Sequence, residues 1–137
     1  RRRRYVVLTG GEPSLQLSLE LTTALRVEGF KIAMETNGTK YINPKLGVHW
    51  LTVSPKAGTR VMQRSGQELK LVFPQRELMP NSPTIENIKS GFKHLFVQPL
   101  DDINDRRKEN REAAIKWCFK HPEWRLSSQQ HKVWGLD

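Results

Sequence analysis

Cysteine is nearly absent: Cys118 stands alone among 137 residues. One thiol forms no internal disulfide and cannot furnish a site that needs several thiolates from the same chain. Long apolar runs are missing too, and none approaches the roughly 20 residues that cross a bilayer. The arginine block at Arg1, Arg2, Arg3 and Arg4 leads straight into a strand pattern, with no apolar signal-peptide region after it. The expected compartment is therefore cytoplasmic, with no membrane partner. His49, His94, His121 and His131 share no metal-ligand spacing, so they read as structural, with His131 alone keeping some functional weight. Acidic groups are outnumbered, 14 against 23 basic, for a net charge of +9. Such an excess favours anionic partners in general and specifies none.

What is present suits a single domain over 1–137. Hydrophobic residues make up 36% and charged residues 27%, and no repeat, linker or low-complexity tract divides the chain. Its organising stretch is Leu8-Thr9-Gly10-Gly11-Glu12-Pro13, between the β-branched run Tyr5-Val6-Val7-Leu8 and a leucine-rich segment of helical period. Two glycines at this strand-to-helix corner let the backbone take positive φ and let a ligand lie against main-chain groups. Glu12 adds a fixed anion, and Pro13 is preset for a first helical turn.

The spacing of Leu17, Leu21, Ala24 and Leu25 predicts an amphipathic helix over 14–28. A strand at 30–35 follows and runs into the turn Thr36-Asn37-Gly38-Thr39. Further strands are expected at 48–53, 68–73, 94–97 and 124–129, with helices over 83–92 and 104–121 and Ser82 as an N-cap. Tyr5 to Leu8 reads as a buried strand. Strands alternating with helices imply parallel βαβ units, an α/β fold class, with ligand groups at the strands' C-terminal ends.

Four corners then share one sheet edge: Thr9-Gly10-Gly11-Glu12, Glu35-Thr36-Asn37, Ser54-Pro55-Lys56 and Gln98-Pro99-Leu100-Asp101. They bring carboxylates, an amide, a hydroxyl and an ammonium beside free main-chain groups. The mixture suits a zwitterionic, ribose-bearing ligand, with carboxylates for an amino group and hydroxyls, and Lys56 for a carboxylate. The plainer alternative makes Glu12 and Glu35 helix caps and Lys56 a surface charge.

In this order and spacing the four motifs, together with Glu35-Thr36-Asn37-Gly38-Thr39 and the C-terminal Gln129-Gln130-His131-Lys132, resemble those of the 7-carboxy-7-deazaguanine synthase family. The resemblance runs from Tyr5 onward. It implies a radical S-adenosylmethionine carbon–nitrogen lyase of queuosine biosynthesis, and hence of tRNA modification, built as a partial (βα) barrel. That family contracts the ring of 6-carboxy-5,6,7,8-tetrahydropterin to 7-carboxy-7-deazaguanine and releases ammonia, with a 4Fe-4S cluster and magnesium, as a homodimer. It implies that Gly10, Gly11, Glu12, Glu35, Ser54, Pro55, Lys56, Gln98, Pro99, Leu100 and Asp101 bind S-adenosylmethionine. Thr9 and Asp137 would meet the pterin substrate, and nucleic acid is not an expected partner.

The pattern breaks at the cluster. The family binds it through a CxxxCxxC-type loop upstream of the Gly-Gly-Glu-Pro motif, and this chain has Cys118 alone, far downstream. Gln130 and Ser128 stand where a threonine and an apolar residue are expected. The expectation is a C-terminal fragment that lacks the first βα units and is inactive by itself. The rivals are a remnant that binds S-adenosylmethionine only, and a non-catalytic basic module that binds nucleotides or RNA through the arginine run.

Overall fold

A computed structural model describes residues 4–101 and 106–128. Six strands form one sheet, every neighbouring pair parallel, in the order β1-β2-β3-β4-β5-β6. They are β1 (Arg4–Leu8), β2 (Phe30–Thr36), β3 (Trp50–Val53), β4 (Gly66–Phe73), β5 (Phe92–Pro99) and β6 (Trp124–Leu126). Helices α1 (Leu19–Val27), α2 (Pro83–Ile88) and α3 (Arg107–Lys120) lie in the crossovers after β1, β4 and β5. Spatial order equals sequence order, so no strand reversal creates the crevice of a doubly wound sheet; the arrangement is an arc of a (βα) barrel.

Alternation along the strands sorts the two faces. Ile32, Met34, Val53, Leu69, Leu71, Phe73 and Val97 are buried and form the core with Ile85, Ile88 and Ala114 from the helices. Their neighbours Glu35, Glu68, Lys70 and His94 point to the other face. The core thus lies on the helix side, and the opposite face carries these polar groups beside Trp50, Val72 and Phe96. His49 serves structure: its Nδ1 accepts from the Ile32 amide at 3.1 Å, and its own amide donates to the Ile32 carbonyl. β3 therefore begins at Trp50, two residues later than its apolar pattern suggested.

Four expectations need correction. The helix over 14–28 is broken into a 3₁₀ turn at Pro13–Leu15 and α1, because Glu12 caps the first and the Ser18 hydroxyl, accepting from the Leu21 amide, caps the second. The predicted stripe on α1 is not buried: Thr22 is the helix's buried residue and Leu21 is 45% exposed. β1 is not buried either, with Tyr5 52% and Val7 55% exposed on the outermost strand among the described residues. Ser82 precedes α2 but makes no side-chain cap. α3 docks through Ala114 and Asn110, whose side-chain amide donates to the Leu100 carbonyl at 3.0 Å.

An apolar parallel edge with unpaired main-chain groups is a template for pairing with another chain. Sedimentation of the 137-residue chain is expected to show concentration-dependent self-association. Val7→Lys should reduce it while shifting stability by no more than about 0.5 kcal/mol. A monodisperse wild-type monomer at every concentration would refute this.

Candidate functional site

Because all six strands run the same way, the segments after β1, β2, β3 and β5 meet at one edge. A cavity of about 290 Å³ opens there. The loop after β1 supplies Thr9, Gly10, Gly11 and Glu12, and the end of β2 supplies Glu35, Thr36 and Asn37. Ser54 and Lys56 come from the turn after β3, Lys70 and Val72 from β4, and Gln98 from β5.

The loop after β1 is held open by its glycines. Gly10 and Gly11 have φ of 76° and 55°, conformations in which an L side chain is strained. A Cβ at either would meet no atom within 4 Å. What requires glycine is the sign of φ, and the space beside the backbone stays clear.

Glu12 ties this loop to β2. Its Oε1 accepts from the Thr36 hydroxyl at 2.6 Å and from the Ser14 amide at 3.1 Å, and its Oε2 accepts from the Asn37 amide at 2.8 Å. Burial raises the Glu12 carboxyl's pKa, but the hydrogen bonds from Ser14, Thr36 and Asn37 outweigh it and hold the group below the ordinary glutamate range. The Asn37 side chain folds the following turn by accepting from the Thr39 amide and hydroxyl at 2.9 and 2.7 Å. β3 is fastened in turn, its Ser54 amide donating to the Thr36 carbonyl at 2.8 Å.

Two carboxylates and two ammonium groups face the cavity, and they are not equivalent. Lys70 Nζ donates to Glu35 Oε2 at 3.1 Å, whereas Lys56 is exposed and has no ion pair among the described residues. The edge therefore offers a neutralised carboxylate, a carboxylate fixed by the chain, an unpaired cation and open main-chain groups. It can take a zwitterion that also carries hydroxyls.

The cavity gathers Thr9, Gly10, Gly11, Glu12, Glu35, Ser54, Lys56 and Gln98 of the residues expected from sequence. Pro55, Pro99, Leu100 and Asp101 do not line it. Pro55 is buried, Leu100 donates its amide to the Phe73 carbonyl, and Asp101 pairs with Arg107 at 2.6 Å. Asp137 and the segment 129–132 lie outside the described residues. Lys70 and Val72 were missed. Their signal was available in the alternation of β4, where Glu68, Lys70 and Val72 oppose the buried Leu69, Leu71 and Phe73.

Fold and site together define an α/β protein with an open cavity at the C-terminal edge of a barrel-like parallel sheet. No family model matches the chain. It is 47% identical over 135 residues to the 7-carboxy-7-deazaguanine synthase of Nitratidesulfovibrio vulgaris, covering 98% of this chain and 60% of the relative. It is 49% identical over 133 residues to the protein of that name from Caulobacter vibrioides, covering 97% and 60%. The crystal structure of QueE from Escherichia coli superposes with a TM-score of 0.62 at 26% identity, covering 94% of this chain and 58% of that one. The chain belongs to the 7-carboxy-7-deazaguanine synthase family. It spans about 60% of the length of those curated relatives.

Proposed function

We propose that this chain is the S-adenosylmethionine-binding part of a 7-carboxy-7-deazaguanine synthase, a radical lyase that converts 6-carboxy-5,6,7,8-tetrahydropterin to 7-carboxy-7-deazaguanine and ammonia. The observation that carries the reading is the meeting of the β1 loop, Glu35, Ser54, Lys56 and Gln98 around one 290 Å³ cavity, in a chain 47% identical to a protein named for that synthase. The homodimer, the queuosine pathway and its role in tRNA modification belong to the same proposal.

Each part of S-adenosylmethionine meets a matching group. The carbonyls of Gly10 and Gly11 accept from its amino group. Glu12 joins them, because a carboxylate offers about four acceptor positions and the chain occupies three of them. Lys56 and the Ser54 hydroxyl take the ligand's carboxylate, and Glu35 takes the ribose hydroxyls. Gln98 and Val72 bound the remaining wall. Thr9, exposed and lining the cavity, faces the pterin. Once bound, S-adenosylmethionine supplies the adenosyl group for the radical step.

The iron–sulfur cluster does not fit these residues. Such clusters are held by cysteine thiolates, and Cys118 packs on the core side of α3, outside the cavity. Burial also pushes its thiol upward in pKa, against thiolate character. Among the described residues no group of three or more His, Cys, Asp or Glu could hold a metal ion, magnesium included. The chain is therefore assigned the binding of S-adenosylmethionine and not the generation of the radical, and by itself it is expected to be inactive.

Calorimetric titration of the chain with S-adenosylmethionine tests the proposal. Saturable binding is expected, weakened at least about tenfold by Lys56→Ala, since an ion-paired hydrogen bond contributes about 1.5 kcal/mol or more. No S-adenosylmethionine binding, with RNA affinity that falls steeply as salt rises, would overturn it in favour of a basic RNA-binding module.

A further inference from the structure

We propose that Lys70 is a positioning residue that sets the Glu35 carboxylate for the ligand's vicinal hydroxyls and thereby leaves Lys56, among the described residues, as the lining ammonium for its carboxylate. The inference rests on the S-adenosylmethionine reading above and adds a division of labour between two lysines that look alike in sequence.

The geometry begins with register. Glu35 on β2 is level with Thr52 on β3, which is level with Glu68 on β4. Lys70 lies two residues further along β4, on the same face as Glu68. Its side chain therefore reaches diagonally over β3 to meet Glu35, two strands away. Glu68, on the same face, meets Thr52 instead, its Oε2 accepting from the Thr52 hydroxyl at 2.8 Å. The lysine is also the better sheltered partner, 18% exposed against 45% for Glu35. Its stem rests on the sheet, and the glutamate stands out into the cavity.

Two consequences follow for a ligand. Glu35 Oε2 is held by Lys70, while Oε1 has no hydrogen bond from the described residues. A carboxylate pinned at one oxygen presents the other in a fixed direction, and ordering it before binding removes a side-chain entropy cost. The pair is also electrically neutral, so Glu35 can accept hydroxyl donors without repelling an anionic group nearby. Lys70, with its charge engaged, is a weak competitor for a carboxylate, and Lys56 takes that role.

Adenosine and S-adenosylmethionine separate the two lysines. The first has the ribose but no carboxylate, and the second has both. Lys70→Met is expected to weaken both about tenfold, the worth of one charge-assisted hydrogen bond. Lys56→Ala should weaken S-adenosylmethionine alone. In a Glu35→Gln background the Lys70→Met penalty should fall below about twofold, because Lys70 acts through Glu35. Lys70→Arg should restore most of the affinity. Lys70→Gln, which keeps a donor without the charge, serves as second variant if the methionine protein does not fold. An undiminished Lys70→Met penalty in the Glu35→Gln background, or adenosine affinity indifferent to Lys70, would overturn the inference and leave S-adenosylmethionine binding intact. Absence of saturable S-adenosylmethionine binding to the wild-type chain would overturn the parent reading and this one with it.

Discussion

Glu12→Ala is expected to remove detectable S-adenosylmethionine binding and to destabilise the chain by about 2–4 kcal/mol, the range for losing hydrogen bonds to a charged, partly buried acceptor. The reason is architectural as much as chemical. One carboxylate joins the loop after β1 to Thr36 and Asn37 at the end of β2 and caps the 3₁₀ turn at Ser14. Without it two main-chain amides and a hydroxyl lose their partner, and the positive-φ glycines have nothing to hold their loop against the sheet. Urea titration measures the stability, and calorimetry measures the binding. A variant within about 0.5 kcal/mol of wild type that still binds would show that the loop is held by other means.

The same group has an acid signature. Its pKa is lowered on folding, so its contribution is fully present above the ordinary glutamate value and is lost as pH falls through the lowered one. The stability gap between wild type and Glu12→Gln should therefore be widest near neutral pH and close in acid. A gap independent of pH would mean that the charge of Glu12 contributes nothing.

Gly38→Ala is expected to cost roughly 2–4 kcal/mol, from about 1 kcal/mol of left-handed strain and 1–3 kcal/mol of overpacking. Gly38 has φ 77°, and a Cβ there would stand 2.7 Å from Cγ1 of the fully buried Val53. The residue cannot retreat, since its carbonyl accepts from the Met62 and Gln63 amides at 2.8 and 3.0 Å and its amide donates to Thr36 Oγ1. Gly58 provides the control: it has the same φ of 77° but no atom within 4 Å of an added Cβ. Gly58→Ala should show the strain alone. Equal losses at the two positions in urea titrations would exclude packing against Val53 as the cause. Because Thr36 also holds Glu12, the loss at Gly38 should carry weaker ligand binding with it.

The strands were legible because β-branched and apolar runs of four to six residues stand between clear breakers, as at Tyr5-Val6-Val7-Leu8 before Gly10 and Gly11. Parallel order followed from alternation with helical segments, and with it the convergence of four corners on one edge. Helix packing was less legible. α1 carries an apolar stripe whose Leu21 remains exposed, because periodicity states which residues share a face and not whether anything covers that face. Asn110 looks like a surface residue, yet it is buried where the Leu100 carbonyl needs a donor.

Local sequence by itself determined the strand ends, the positive-φ loop at Gly10 and Gly11 and the inventory of charges at the corners, since these depend on neighbours a few residues apart. Only the tertiary structure decided which charges remain available. Glu12 is engaged by residues 24 and 25 positions away, and Lys70 by one 35 positions away. The reach of a lysine over an intervening strand depends on sheet register, a long-range property that the pattern of one strand does not encode.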